Sequence, residues 1–167
     1  TAELTLPAGS YTVDVSRGLE YLPARRQVTV TPRSARSLRV ALARLGNLRA
    51  RGWTSGDLHV HMNYTGHYRA DPARLALQAR AEDLPVVENL IVNKEVRMPD
   101  LARFSGRPDA ASTAGTTILH AQEYHTSWWG HIGLLGLRER PLLPGYTGYT
   151  ETAVASLVPT NADVATM

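Results

Sequence analysis

The apolar residues of this chain change period at Gly52, and that change restricts the folds open to it more than any single residue does. Before it, residues 1–45 alternate apolar and polar in period two: Tyr11, Val13 and Val15 against Thr12 and Asp14, then Val28 and Val30, then Leu38, Val40 and Leu42. Alternation of this kind belongs to strands with one face covered. Leu6-Pro7-Ala8-Gly9-Ser10, Ser16-Arg17-Gly18 and Thr31-Pro32-Arg33-Ser34 supply the breaks between them. Three or four short antiparallel strands are expected, too few to close a core alone. Residues 1–48 therefore read as the C-terminal strands of an incomplete β-sandwich whose beginning lies outside the sequence.

Residues 53–167 follow another pattern. Trp53 to His61 reads as a strand and Asn63 to Ala70 as a loop. Asp71-Pro72 then offers an N-cap followed by proline at the first helical position, which predicts a short helix over residues 72–83. Pro85 to Val92 is an apolar run interrupted by Glu88 and Asn89, suited to a strand covered on both faces. Strand, helix, strand is the signature of a parallel α/β unit. Residues 95–115, broken by Pro99, Gly106, Pro108 and Gly115, read as an irregular excursion. Thr116 to Gln122 and Ile132 to Leu137 read as further strands. Beyond a Pro/Gly/Tyr-rich loop over residues 141–149, Thr160 or Asn161 caps a final helix.

An apolar fraction of 43% is enough for a real core, and no run approaches the ~18 apolar residues of a membrane span. With no cysteine, disulfides, thiolate ligands and a cysteine nucleophile are excluded, so any metal must be held by nitrogen and oxygen. The same absence leaves the compartment open, extracytoplasmic or cytoplasmic. Residues 1–52 carry nine arginines against three acids, but these arginines are scattered along strand-like alternation without interleaved aromatics. They read as solvated strand faces, and a nucleic-acid partner is not expected.

Chemistry concentrates in Gly56-Asp57-Leu58-His59-Val60-His61. Residues two apart on a strand share a face, so His59 and His61 aim two imidazoles to one side, where they can chelate zinc, manganese or iron. His67 follows within the next loop. Glu88 and Asn89 lie in the second strand, Glu123 follows the third, and His125 and His131 flank the start of the fourth. In parallel α/β architectures such groups gather at the carboxyl ends of the strands. A histidine cluster with one glutamate favours activation of water for attack on a small-molecule substrate. Neither Gly-x-Ser-x-Gly nor His-Glu-x-x-His occurs. Each residue also has a plainer reading. His120 reads as a hydrogen-bonded core histidine, and Trp128 and Trp129 read as core packing before they read as a substrate pocket beside His125.

Gly56-Asp57-Leu58-His59-Val60-His61 with His67 resembles motif I of the PHP (polymerase and histidinol phosphatase) metallohydrolases. The segments Val87 to Lys94, Gln122-Glu123-Tyr124, Trp129 to Leu137 and Pro159 to Asp163 are similar to its carbaryl-hydrolase-like branch. Residues 1–45 more weakly resemble the end of a carboxypeptidase-regulatory-like β-sandwich. The resemblance implies a partial distorted (β/α)7 barrel over residues 53–167, truncated before its later strands and inactive as this stretch alone. It implies one to three divalent ions in the full-length protein, with His59, His61 and Glu123 as ligands, His67 and His131 as further ligands, and Asp57 supporting them. Glu88 and Asn89 stand where many relatives have an Asp-His pair. The implied reaction is hydrolysis of an ester, carbamate or phosphoester. Two alternatives stay open: an amidohydrolase-type (β/α)8 enzyme, which also begins with His-x-His, and a non-catalytic binding or cell-surface module.

Overall fold

In the computed structural model, which describes residues 2–63, 69–92, 100–125, 128–142 and 159–167, Gly9–Val15 (β1) pairs antiparallel with Ala24–Val30 (β2). The half-buried face carries Tyr11, Val13, Val15, Val28 and Val30, while Asp14 and Arg25 meet on the exposed face through two hydrogen bonds of 2.7 and 3.0 Å. The strand predicted over Leu38, Val40 and Leu42 does not form. Alternation favours a strand when one face is covered, and here Leu38 is exposed and the chain meets Glu20–Leu22 through a single bridge, Tyr21 to Arg44. The chain divides into two units, Thr1–Trp53 with Ala81–Asp83, and Thr54–Arg80 with Leu84–Met167.

The second unit is built on a sheet of Gly56–Val60 (β3), Val86–Val92 (β4), Thr117–His125 (β5) and His131–Leu134 (β6), in the spatial order β3-β4-β5-β6. Pro72–Ala81 (α1) connects β3 to β4, and Asn161–Thr166 (α2) closes the described chain. Asp71 caps α1 by accepting the Arg74 N–H at 2.8 Å, which satisfies one of the donors left open at a helix start. Thr160 and Asp163 form a reciprocal capping box on α2. The buried face of α1, Leu75, Ala76 and Ala79, packs with Met62, Val87 and Ile118 into the core. Every residue of β4 from Val87 to Val92 is buried, as a central strand covered on both faces requires. Gly56 opens β3 where a Cβ would stand 2.9 Å from the Val86 carbonyl oxygen.

β3, β4 and β5 run parallel, but β6 returns antiparallel to β5, with His125 opposite His131. This overturns the expected (β/α)7 barrel. Such a barrel repeats strand and helix with every strand parallel, whereas the described residues hold six strands and two α-helices, in one four-stranded and one two-stranded sheet. The physical reason lies in the connections. Five residues separate His125 from His131, and a parallel crossover needs about a dozen. Residues 100–116 carry turns and no α-helix. No helix among the described residues is long and apolar enough to cross a membrane.

Candidate metal centre

Two features of strand geometry assemble the site. β3 and β4 pair at Asp57 with Val87 and at Val60 with Asn89, so β3 carries an extra residue and bulges between these points. The Asp57 carboxylate accepts the His59 backbone N–H at 3.0 Å, satisfying a donor in the bulge. Val60 packs against the core, which turns His59 and His61 to the opposite face. On β5, Ile118 faces α1 in the core, and Glu123, an odd number of residues further on, emerges on that same opposite face.

There His61 Nε2 lies 2.8 Å and His59 Nε2 3.4 Å from Glu123 Oε2, while His131 Nδ1 contacts the other carboxylate oxygen, Oε1. One ligand atom each from His59, His61 and Glu123 falls within 4.8 Å of the others. The two imidazoles stand edge to face, with centroids 5.0 Å apart. The His125 ring lies against that of His131 at 3.7 Å between centroids. Glu123 is almost wholly covered, its side chain 3% exposed, whereas that of His59 is 63% exposed. The site therefore has a buried anionic floor and an open side.

The protonation of His61 follows from its partners. Its Nδ1 lies 2.9 Å from the Leu90 carbonyl oxygen, which can only accept, so Nδ1 carries a proton; Nε2 facing Glu123 donates to the carboxylate when the ring is protonated and presents a lone pair when the ring is neutral. A lone pair facing a carboxylate is repulsive unless a cation lies between them or the ring is protonated. Burial pushes the Glu123 carboxyl up, but the His61 hydrogen bond and the charges of His61, His131 and His59 outweigh it and hold the group at about 2. The group stays anionic throughout the neutral range. Two imidazole nitrogens and a carboxylate oxygen suit a borderline divalent ion, and the carbonyl behind His61 is the usual outer partner of a metal-binding histidine. The cluster can hold a metal.

The other residues singled out from the sequence lie in different places. Glu88 is buried near the other end of the sheet, where it accepts the Gly136 N–H at 3.2 Å; burial, partly offset by that bond, pushes its carboxyl up. It lines a cavity of about 450 Å³ with Leu119, Leu137, Arg107 and Arg138, and does not join the ligand group. Asn89, fully buried, points to the core side, where its Oδ1 accepts the Met62 N–H at 2.8 Å. Asp57 supports the backbone of His59. Trp128 and Trp129 are 68% and 47% exposed, so the expected core packing is overturned: the Gly130 turn into the short strand β6 leaves both indoles at the surface. His67 lies outside the described residues.

His120 is the hydrogen-bonded core histidine expected of it, but sequence reasoning missed the polar chain it belongs to on the core side. His120 bridges Asn89 and Asp109, at 3.1 and 2.9 Å, and Asp100 joins Asn89 to Asn63. Asp100 and Asp109 come from the irregular excursion, where no periodicity announces which way a side chain turns. Compared with family models, with curated proteins and with solved structures, the chain has no match.

Proposed function

We propose that the chain is a metal-dependent hydrolase acting on an ester, carbamate or phosphoester, with a zinc, manganese or iron ion held by His59, His61 and Glu123. The observation that carries this reading is the approach of three ligand atoms to within 4.8 Å, one of them on a histidine whose other nitrogen is tied to a carbonyl. Such an ion supplies hydroxide at neutral pH by lowering the pKa of water to about 7, and polarises the bond to be broken. The residues do the rest. Glu123 supplies the negative charge that fixes the cation, and Leu90 holds the His61 ring at its working angle. The two oxygens of Glu123 have separate partners, His59 and His61 on one and His131 on the other, which supports a second ion on the His131 side. The exposed rings of Trp128 and Trp129 offer an apolar surface to substrate next to His131 in the chain. The likeness of Gly56 to His61 and of Glu123 to metallohydrolase motifs supports hydrolysis over other metal chemistry.

The test is metal content by mass spectrometry after loading with zinc or manganese, together with turnover of p-nitrophenyl acetate, a p-nitrophenyl carbamate and p-nitrophenyl phosphate. His59→Ala and Glu123→Ala should each lower occupancy at least about ten-fold and abolish turnover. Unchanged occupancy in both variants removes the metal from the reading. Stoichiometric metal in the parent chain with no turnover of any of the three esters removes hydrolysis by this chain.

A further inference from the structure

We propose that Asn89 is a positioning residue for the metal centre, acting through the backbone that follows His61, and that His120 and Asp109 fix the orientation of its amide. This rests on the metal-centre reading of His59, His61 and Glu123.

Asn89 is on the wrong face of β4 to touch a cation held by those residues, and it is completely buried. Burying an amide in a core is unfavourable unless its hydrogen bonds are made, so its bonds explain its presence. Its Oδ1 accepts the Met62 N–H at 2.8 Å, on the peptide immediately after His61. The next residue, Leu90, takes the His61 ring through its carbonyl at 2.9 Å. Two consecutive residues of β4 thus hold His61 from both sides, one at the ring and one at the backbone.

The amide has one permitted orientation. Its Nδ2 donates to His120 Nδ1 at 3.1 Å, and His120 can accept there because its proton is on Nε2, donated to Asp109 Oδ2 at 2.9 Å. The same Nδ2 faces Asp100 Oδ2 at 3.4 Å. Turned over, the amide would set its NH₂ against the Met62 N–H and its oxygen against the Asp100 carboxylate. Donor would face donor and acceptor would face acceptor. Asp109, His120 and Asp100 therefore hold the Asn89 oxygen toward Met62, and the carbonyl-held ring of His61 is kept in register with Glu123 on the other face. Outer groups that orient metal ligands act in this way.

Cobalt(II) is the probe, because its visible absorption reports ligand geometry as well as occupancy. Asn89→Leu should weaken cobalt binding about 10- to 100-fold and change the shape of the visible spectrum. Ile118→Ala, which opens the same core but keeps the backbone bond from the Asp109 N–H to the carbonyl of residue 118 and removes no side-chain hydrogen bond of the polar chain, should lower thermal stability yet leave the spectrum unchanged. If Asn89→Leu matches Ile118→Ala in affinity and spectrum, the positioning role is overturned while the metal centre stands. If the parent chain binds no cobalt, the metal centre falls and the positioning role with it. A measurement that needs no variant is the NMR shift of the Met62 amide and the Asn89 side-chain amide on adding zinc: both should move, and static resonances in a chain that has taken up zinc would overturn the proposal.

Discussion

His61 and His120 carry their protons on opposite nitrogens, and in each case a neighbour without choice decides it. A carbonyl oxygen can only accept, so His61 is protonated on Nδ1; the Asn89 NH₂ can only donate, so His120 is protonated on Nε2. The second arrangement has a consequence for acid stability through Asp109. Burial pushes the Asp109 carboxyl up, but the Ala111 N–H and the His120 ring overcome that and hold it below the ordinary carboxylate range. A carboxyl depressed by folding stabilises the fold fully above its unfolded value, about 3.9, and loses that contribution as pH falls toward the folded value. Asp109→Asn should therefore lower stability by roughly 1 kcal/mol at neutral pH and flatten the loss of melting temperature between about pH 5 and pH 3. Thermal melts across that range check it. Parallel slopes for parent and variant would show that Asp109 takes no part. At this scale the ligands were legible because few side chains bind a divalent ion and a two-residue spacing fixes a shared face. The roles of Glu88 and Asn89 were not, because they depend on the β3 bulge and on partners drawn from an aperiodic segment.

Among the elements, α1 was legible nearly residue by residue because its start is written in side-chain chemistry. Asp71 accepts the Arg74 N–H, and Pro72 stands where its missing N–H has no consequence. Asp71→Ala should cost about 1 kcal/mol of stability in urea denaturation, since the helix buries Leu75, Ala76 and Ala79 and cannot fray without opening the core. Leu77→Ala, on the exposed face of the same helix, should change stability by no more than about 0.5 kcal/mol. Equal effects of the two substitutions would mean that the cap does not hold α1. Strand ends were less legible, because pairing sets them. β5 runs to His125 instead of stopping at Gln122, since β6 pairs with it from Gln122–Leu134 to His125–His131. That extension brings Glu123 into the ladder. The failure of Leu38 to Leu42 to form a strand has the same origin, an alternation that no neighbouring strand pairs with.

At the scale of the molecule, the expected barrel failed on connection length, a property that local periodicity does not carry. One parallel crossover was correctly implied by the Asp71-Pro72 helix between two apolar runs, and β3, α1 and β4 form it; repetition of that unit was an extrapolation that the short link before β6 does not permit. The sheet that does form has a thermodynamic consequence. The candidate ligands are on β5 and at the end of β3, far apart in sequence, so an ion between them binds only when both strands are in place. Anything that binds the folded chain alone stabilises it by mass action, about 2.7 kcal/mol at a ligand concentration 100 times Kd. For a chain of 167 residues that corresponds to a rise in melting temperature of about 5 to 10 °C. Calorimetry with zinc at that excess, against the same protein in a chelator, should show the rise. His61→Ala should cut it to about half or less, because a site weakened at least ten-fold contributes no more than about 1.4 kcal/mol at the same zinc concentration. A parent chain indifferent to zinc, or a His61→Ala variant stabilised as much as the parent, would mean that β3 and β5 are not joined by a shared cation.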